Sequence, residues 1–335
     1  MHFGKQPVMK AAHAIIAHSI RLKHRTLKKG TILTEQDIAD LQAAGLETIV
    51  VARLEAGDIG EDQAAGALAG VVLNENLELD NPFTGRCNIR AGRQGLLQVN
   101  AAGVEHINRV HESLTIATLA DLTLIKPGDM VATVKIIPFA VDAAILESCL
   151  DAARKHSPIM QILPFSNKRA GFIQTMSAGT RKQVLDKTTA VLEQRLAPLQ
   201  CSITGEIRCR HDNTELEQAI RTMLDRDIDI LLIIGASVIV DRRDIIPTAI
   251  EANGGEVIHF GMPTDPGNLL LLARHGTRPV LGLPGCARSP KRNGLDLILE
   301  RLAADIPVTS SDVMALGHGG LLQEIKSRPQ PREKN

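Results

Sequence analysis

Four charged residues follow an apolar run in the C-terminal half of the chain. Residues 230–237 read ILLIIGAS, and Asp241, Arg242, Arg243 and Asp244 come a few residues later. A carboxylate beside an anion-binding turn can hold Mg²⁺ against a phosphate, whereas the two arginines either bind the anion or solvate a loop. Asp244 suits the N-cap of the helix that follows. Asp241 has no such structural role, so we predict that it is a catalytic residue and a metal ligand.

Four turns rich in small residues accompany the predicted strands of this half. Gly, Ala and Ser let the backbone approach a ligand closely, and free N–H groups at a helix start favour an anion. Ordinary strand–helix loops have a similar composition, so one such turn alone is weak evidence. We predict that the four turns bind one ligand together. The candidate ligand-binding residues are Thr175, Ser177, Gly179, Thr180, Gly235, Ala236, Ser237, Arg243, Asp244, Pro266, Gly267, Asn268, Pro284, Gly285, Cys286, Arg288 and Ser289.

Strand and helix patterns alternate regularly from about residue 168. The first helix places Leu185, Leu192 and Leu196 on one stripe, a capping box at Thr214 and Glu217 opens the second, and Asp244 caps the third. A later apolar run favours two strands about a turn at residues 275–276, and a last helix is expected at 292–303. This alternation predicts an α/β fold with a doubly wound, mostly parallel sheet, whose ligands bind at the carboxyl ends of the strands.

The N-terminal half follows a different pattern. Residues 31–54 predict a small αβ unit with Thr34 as N-cap and Gly45 just past the helix. Residues 59–73 predict another helix, and residues 84–141 contain short apolar runs broken by Gly and Pro, which favour β-structure. We therefore expect a β-rich α+β region before the α/β domain. The predicted domains are a small α+β domain at 1–80, a β-rich domain at 81–160, the α/β domain at 161–320 and a flexible tail at 321–335.

Composition excludes several classes of protein. The 335 residues include 38 basic and 38 acidic residues, with no Trp, no Tyr and six Phe. A nucleic-acid binder needs surplus positive charge or aromatic platforms, so none is predicted. No apolar run of about 20 residues is present, so we expect no membrane span. The five cysteines form no C-x-x-C pair, which fits a reducing cytoplasm. A nucleophilic role for Cys286 is disfavoured because no positioned His base is evident.

Residues 168–303 resemble the molybdopterin-binding domain shared by molybdopterin adenylyltransferases and molybdotransferases. The resemblance lies in GASVIVD, RRDIIP, NGGEVIHFGM and DPGNLLLLARHGTRPVLGLPGCARSP, which follow the family's order and spacing. It implies a three-layer α/β/α domain that binds molybdopterin or the molybdenum cofactor, with Mg²⁺ and a nucleotide as further ligands. Gly235, Ala236 and Ser237 then line the pterin-phosphate site, and Asp241 stands where the family has its functional Asp.

The remainder of the chain extends the resemblance more loosely. Residues 27–54 are similar to the opening domain of molybdotransferases, a pattern that also occurs in unrelated β-clip modules. The whole chain looks most like a subgroup of molybdopterin-binding proteins that are often joined to a nucleotidyltransferase domain. The resemblance thus implies a molybdenum cofactor cytidylyltransferase as partner, and homo-oligomers.

Three departures from the family pattern leave the activity open. Ala236 replaces a Gly, Asn268 replaces the Lys of PGKP, and residues 286–287 replace the NP of GLPGNP. Loss of that Lys removes a cation from the anion site, for which Arg288, Lys291 and Arg292 offer compensation. Binding and hand-over of the cofactor is one hypothesis. A Mg²⁺-dependent transferase, for nucleotidyl transfer or molybdate insertion, is another, and a nucleotide pyrophosphatase of the competence-damage type is a third.

Overall fold

A computed structural model describes residues 1–322 of the chain. Residues 323–335, which hold most of the predicted tail at 321–335, lie outside the described residues. Residue contacts divide the chain into two compact units, Met1–Leu163 and Pro164–Asn335. The finer division of the first unit at residue 80 stays a prediction. No helix among the described residues is long and apolar enough to cross a membrane.

The first unit combines four helices with several small sheets. The sheets have the strand orders β1-β5-β2, β3-β4, β10-β12-β8-β7, β11-β9-β14 and β13-β6. Its helices are α1 (Glu35–Ala43), α2 (Glu61–Val72), α3 (Ala101–Val110) and α4 (Ala143–Lys155). Its strands are β1 (His2–Pro7), β2 (Ile15–Ile16), β3 (Ile20–Arg21), β4 (Thr26–Leu27), β5 (Thr48–Arg53), β6 (Asp58–Gly60), β7 (Leu77–Leu79), β8 (Arg86–Ala91), β9 (Gly95–Val99), β10 (Leu114–Thr118), β11 (Thr123–Ile125), β12 (Met130–Ile136), β13 (Ala140–Asp142) and β14 (Met160–Pro164).

Local sequence signals account for the start and end of α1. The Thr34 side chain accepts from the Asp37 amide while the Asp37 carboxylate accepts from the Thr34 amide, which forms a reciprocal cap. Ile38 and Leu41 share a buried face. Gly45 follows the helix with φ +78°, in the left-handed region that glycine adopts without strain. The predicted cap, apolar stripe and stop signal are all confirmed.

Two separate apolar clusters stabilise the first unit. Val8, Ile16, Leu33, Leu41 and Val51 belong to the cluster under α1 and the first sheet. The larger cluster joins α2, α3 and α4 to the strands β7 to β14. The sequence indicated mainly β-structure for 84–141, and α3 interrupts it. This helix buries Gly103 and Ile107 and packs Val104 and Val110 against the larger cluster.

The second unit is built on one six-stranded sheet of order β16-β15-β17-β20-β19-β18. Strands β16, β15, β17 and β20 are parallel, and β19 runs antiparallel to both of its neighbours. This confirms the mostly parallel sheet and the two strands about residues 275–276. The elements are β15 (Arg169–Met176), α5 (Lys182–Leu196), β16 (Ser202–Arg210), α6 (Asn213–Leu224), β17 (Ile230–Ile234), α7 (Ile245–Ala252), β18 (Glu256–Phe260), β19 (Leu271–His275), β20 (Arg278–Leu283), α8 (Gly294–Ala303) and α9 (Ser310–Ala315).

Helices cover both faces of this sheet. Ile173, Leu231 and Ile233 point to one face, where they pack with apolar side chains of α6 and α7. Gln174, the next residue along β15, points to the other face and donates to the Leu185 carbonyl of α5 at 3.1 Å. Such alternation follows from the two-residue period of a strand. The predicted three-layer α/β/α architecture is therefore confirmed.

None of the five cysteines forms a disulfide. Cys87, Cys149, Cys201 and Cys209 are buried, and only Cys286 is partly exposed. Burial raises the pKa of each buried thiol, that of Cys209 to about 11. These four side chains are therefore protonated at neutral pH and behave as small apolar groups.

The predicted cap of α6 is wrong. The helix begins at Asn213, and the carboxylate of Asp212 accepts from the Glu215 amide at 2.9 Å. Thr214 instead lies exposed inside the first turn. The sequence offers two overlapping cap patterns here, one at Asp212 and one at Thr214. Because β16 ends at Arg210, the backbone is still extended at Asp212, and an N-cap residue has this conformation.

Replacement of Asp212 tests this assignment. We expect Asp212→Ala to lower the free energy of unfolding by about 1 kcal/mol, because α6 loses its N-cap. Thr214→Ala, the matched control, should change it by less than about 0.5 kcal/mol. Urea unfolding followed by far-ultraviolet circular dichroism measures both, since the chain has no Trp or Tyr to report by fluorescence. A larger loss in Thr214→Ala would restore the original prediction.

Candidate ligand site at the carboxyl ends of the sheet

Three parallel strands end side by side in the second unit. Gln174 of β15 pairs with Ile234 of β17, which in turn pairs with Leu283 of β20. The next residue of each strand, Thr175, Gly235 and Pro284, therefore reaches the same edge of the sheet. In doubly wound sheets this carboxyl edge is where ligands bind.

A histidine links the ends of β15, β16 and β17. The His211 ring lies between two hydroxyl groups, with Nδ1 2.7 Å from Thr175 Oγ1 and Nε2 3.0 Å from Ser237 Oγ. The Ala236 amide also donates to Thr175 Oγ1 at 2.8 Å. Thr175 is buried, so its hydroxyl needs these partners. The result is a fixed position for Ser237, whose side chain is exposed.

The His211 ring can carry its proton on either nitrogen, and each tautomer completes the network. With the proton on Nε2, the ring donates to Ser237 and accepts from Thr175, which frees the Ser237 hydroxyl proton for a ligand. With the proton on Nδ1, the Ser237 hydroxyl donates to the ring, and its oxygen can accept a hydrogen bond from a ligand. In either case Ser237 retains hydrogen-bonding capacity toward a ligand.

Gly235 makes the turn after β17 possible. A Cβ at this position would lie 2.3 Å from the Ser237 carbonyl oxygen and 3.1 Å from a methyl group of Ile246. Only glycine allows the chain to fold back this sharply. The Gly235 carbonyl also accepts from Arg288 Nη2 at 2.9 Å, so the turn is tied to the short 3-10 helix Gly285–Arg288 that follows β20.

Arg288 supplies a cation at this edge. Its side chain is partly buried, and burial lowers the pKa of its guanidinium group from the ordinary value. An arginine stays protonated at neutral pH even so, because its ordinary pKa is far higher. A half-desolvated guanidinium group whose donors are not all used by one carbonyl is suited to bind phosphate.

Asp241 lies in a separate turn before α7. Arg243 binds both of its carboxylate oxygens, with Nε 2.7 Å from Oδ1 and Nη2 3.2 Å from Oδ2, and this lowers the pKa of Asp241 to about 2. The Arg243 side chain is 89% exposed. No group of three or more His, Cys, Asp or Glu side chains suited to a metal ion occurs in residues 1–322. The assignment of Asp241 as catalytic residue and metal ligand stays a prediction.

Asp244 begins α7, as its sequence position predicts. Its side chain accepts from the Ile245 amide at 2.8 Å and from the Val240 amide at 3.2 Å. The cap and the turn are therefore one structure, and the carboxylate is occupied by backbone donors. A direct role of Asp244 or Arg243 in ligand binding stays a prediction.

The turn after β15 is closed by its own hydrogen bonds. The Ser177 amide donates to Thr180 Oγ1 at 3.1 Å, and the Thr180 amide donates to the Ser177 carbonyl at 3.1 Å. Gly179 has φ +85°, which this tight turn requires. The structure thus joins Thr175 to the site network and places Ser177, Gly179 and Thr180 in an adjacent self-bonded loop.

The other two predicted turns meet at the start of α8. The Pro266 carbonyl accepts from the Gly294 amide at 2.8 Å, and a Cβ on Gly267 would lie 2.5 Å from that amide nitrogen. The Asn268 carbonyl accepts from the Met262 amide. Close backbone packing therefore explains the small residues of this turn. Ligand contact by Pro266, Gly267 and Asn268 stays a prediction.

Backbone carbonyls of the turn after β20 are bound from two helices. Asn293, the cap of α8, donates to the Cys286 carbonyl at 3.3 Å. Arg195 of α5 donates to the Ser289 carbonyl at 2.5 Å and also pairs with Asp296 of α8. These contacts fix Gly285, Cys286 and Ser289 beside Arg288. The fixed backbone is what holds the Arg288 guanidinium group at the site.

His211 is a site residue that the sequence left open. It follows β16 directly and precedes the Asp212 cap, so a ligand contact and a polar helix start both explained it. The available signal was its position at the end of a strand next to β15. Recognising it needed the strand order, because β16 lies beside β15 although α5 separates them in the sequence.

These features define a doubly wound, three-layer α/β domain with a polar, cation-bearing site at the carboxyl edge of its sheet. Residues 162–304 match a family model described as "Probable molybdopterin binding domain", so this region belongs to the molybdopterin-binding domain family. The match covers less than half of the chain. Residues 5–53 match a model described as a domain of unknown function, DUF8806. No curated protein matches the chain.

Several solved structures are similar to the chain. A molybdopterin biosynthesis moeA protein from Pyrococcus horikoshii is 14% identical with a TM-score of 0.30, over 90% of this chain and 75% of that one. The molybdopterin biosynthesis enzyme MoaB from Thermus thermophilus is 16% identical with a TM-score of 0.29, over 40% and 89%. A CinA protein from Thermoplasma acidophilum is 17% identical with a TM-score of 0.26, over 42% and 100%.

Replacement of Gly235 tests the turn that positions the site. We expect Gly235→Ala to lower the free energy of unfolding by about 1–3 kcal/mol, because the added methyl group meets the Ser237 carbonyl. Gly70→Ala is the control, since Gly70 lies exposed on α2 with no atom within 4 Å of an added Cβ. That change should stabilise the protein by about 0.5–1 kcal/mol. Urea titrations compare the two, and an equal response would contradict the close contact at Gly235.

Proposed function

We propose that the second unit binds molybdopterin through the carboxyl edge of its sheet, and that the protein acts in molybdenum cofactor biosynthesis. The observation that carries this proposal is the hydrogen-bonded set of Thr175, His211, Ala236 and Ser237 beside Arg288. It lies within the region that matches the molybdopterin-binding family. A site of hydroxyl and guanidinium donors next to a glycine turn fits a phosphorylated pterin.

The roles of individual groups follow from their positions. Arg288 would meet the pterin phosphate as a cation, and Ser237 would donate to a phosphate or pterin oxygen. Gly235 and Ala236 would let the ligand approach the backbone. Because Asn268 stands where the resemblance expects Lys, Arg288 would be the main positive charge that opposes the phosphate.

Binding and hand-over is favoured over catalysis. Both oxygens of Asp241 are engaged by Arg243, so a Mg²⁺ ion would have to displace that guanidinium group. We therefore propose that the protein carries molybdopterin, with or without molybdenum, to a molybdenum cofactor cytidylyltransferase. A cytoplasmic location and a homo-oligomeric state belong to the same proposal.

Fluorescence of the oxidised pterin tests binding directly. We expect Arg288→Met to weaken binding about tenfold or more, because a charge-assisted hydrogen bond to phosphate is lost. Arg278→Met is a matched control, since Arg278 also donates to a backbone carbonyl, that of Leu224 at 3.0 Å, but at the start of β20. It should bind as the unchanged protein does. Equal losses in both variants, or no binding at all, would overturn the proposal.

Nucleotide turnover separates a carrier from an enzyme. We expect no consumption of ATP or CTP when molybdopterin and Mg²⁺ are added. If turnover occurs and Asp241→Asn abolishes it, a transferase replaces the carrier. Cleavage of ADP-ribose in the absence of pterin would instead favour the hypothesis of a nucleotide pyrophosphatase.

The pH dependence of pterin binding supplies a further check on Asp241. The lowered pKa of about 2 keeps this carboxylate charged until the pH falls through that value. Its pairing with Arg243 therefore persists from pH 4 to pH 8. We expect the ratio of pterin affinities of the unchanged protein and Asp241→Asn to be constant across this range. A ratio that changes between pH 5 and pH 4, where an aspartate with an ordinary pKa begins to lose its charge, would show that Asp241 is not held by Arg243 as described.

A further inference from the structure

A second cleft lies in the first unit. It has a volume of about 610 Å³, and its walls come from β1, β8, β12, the start of α2 and the loops after β2, β4 and β12. Four basic side chains line it, those of His18, Lys29, Arg86 and Lys135, against one carboxylate, Glu61. Apart from His18, three side-chain cations oppose one carboxylate, and the Met1 ammonium group, which also borders the cleft, is paired with Glu55 and Asp58. Such a cleft attracts anions.

Two of the cations lie on neighbouring strands. Lys135 of β12 and Arg86 of β8 are directly opposite each other in the antiparallel register. Like charges in this position repel, which destabilises a sheet unless something compensates. Glu61 Oε2 lies 3.6 Å from Lys135 Nζ and offsets part of the repulsion. A net positive charge remains among the residues that line the cleft.

The cations are held in place by the surrounding backbone. Lys135 Nζ donates to the Thr84 carbonyl at 2.7 Å, and Arg86 Nη1 donates to Thr133 Oγ1 at 3.1 Å. Gly85 has φ +70°, and a Cβ there would lie 2.4 Å from Glu61 Oε2 and 2.7 Å from Lys135 Nζ. The positive φ favours glycine at this position, and the backbone there passes close to the ion pair.

Two aromatic rings also line the cleft. The chain has six Phe and no other aromatic residue except His, yet Phe3 and Phe139 both line this space. The Phe3 side chain is 54% exposed, and Lys29 Nζ lies 5.5 Å from the centre of the Phe139 ring. A ring face beside ammonium groups can receive a flat ring that carries a negative group.

We infer that this cleft is a binding site for a mononucleotide with one or two phosphates. Its phosphates would lie among Lys29, Arg86 and Lys135, and its base would lie against Phe3. The net charge of the cleft matches such a ligand, and the flat apolar wall distinguishes it from a site for inorganic phosphate alone. This inference does not depend on the pterin site, which lies in the other unit.

Isothermal titration of the full-length protein with ADP tests the inference, with pyrophosphate and adenosine as partial ligands. We expect ADP to bind about tenfold more tightly than pyrophosphate, because the base adds stacking. Adenosine at the same concentration should give no heat. Phe3→Leu should weaken ADP and leave pyrophosphate unchanged, and Phe3 is exposed enough for this variant to fold.

Charge variants identify the site. Lys29→Ala should weaken ADP about tenfold, while Lys28→Ala, its exposed neighbour outside the cleft, should stay within about twofold. Equal losses in the two variants would mean non-specific attraction and overturn the inference. The inference would also be overturned if the protein binds molybdopterin but not ADP. It would be overturned likewise if Arg288→Met abolishes ADP binding and molybdopterin displaces ADP, because ADP would then occupy the pterin site. If the protein binds ADP but not molybdopterin, the proposed function is contradicted and the nucleotide site is supported.

Discussion

The buried hydroxyl of Thr175 is the constraint on which the candidate pterin site depends. A hydroxyl group without partners in a sheet interior costs free energy, so the groups that satisfy it must be held in place. The Ala236 amide and the His211 ring provide those partners. The same contacts fix the turn after β17 and the ring that orients Ser237. The site is thus assembled by the need to satisfy one buried group where three strands meet.

A second set of contacts joins this turn to the far side of the site. Arg288 reaches the Gly235 carbonyl, and the turn that carries Arg288 is held by Arg195 and Asn293. Because α5 and α8 supply those two side chains, the cation is positioned by helices on one face of the sheet. His211 follows the strand that leads into α6, a helix of the opposite face. Both outer layers therefore contribute to the geometry of the carboxyl edge.

The sequence predicted those features that depend on local signals. The strand–helix alternation, the Asp244 cap and the two strands about residues 275–276 each have a pattern within a few residues. His211 and the Asp212 cap depended on where β16 ends and which strand lies beside it, and neither follows from periodicity. The cleft at Lys29 was also invisible to the sequence. It brings together residues from Phe3 to Phe139, whose proximity is created only by the packing of the sheets.

The burial of four cysteines has a consequence for the chemistry of soft metals. Thiolates bind soft metals such as copper(I) and zinc, so an exposed thiol competes for a metal that another sulfur ligand carries. Here Cys87, Cys149, Cys201 and Cys209 are packed away with raised pKa values. Only Cys286 is partly exposed, beside the residues that hold Arg288. A soft metal therefore meets a single thiol on the described surface, at the mouth of the proposed pterin site.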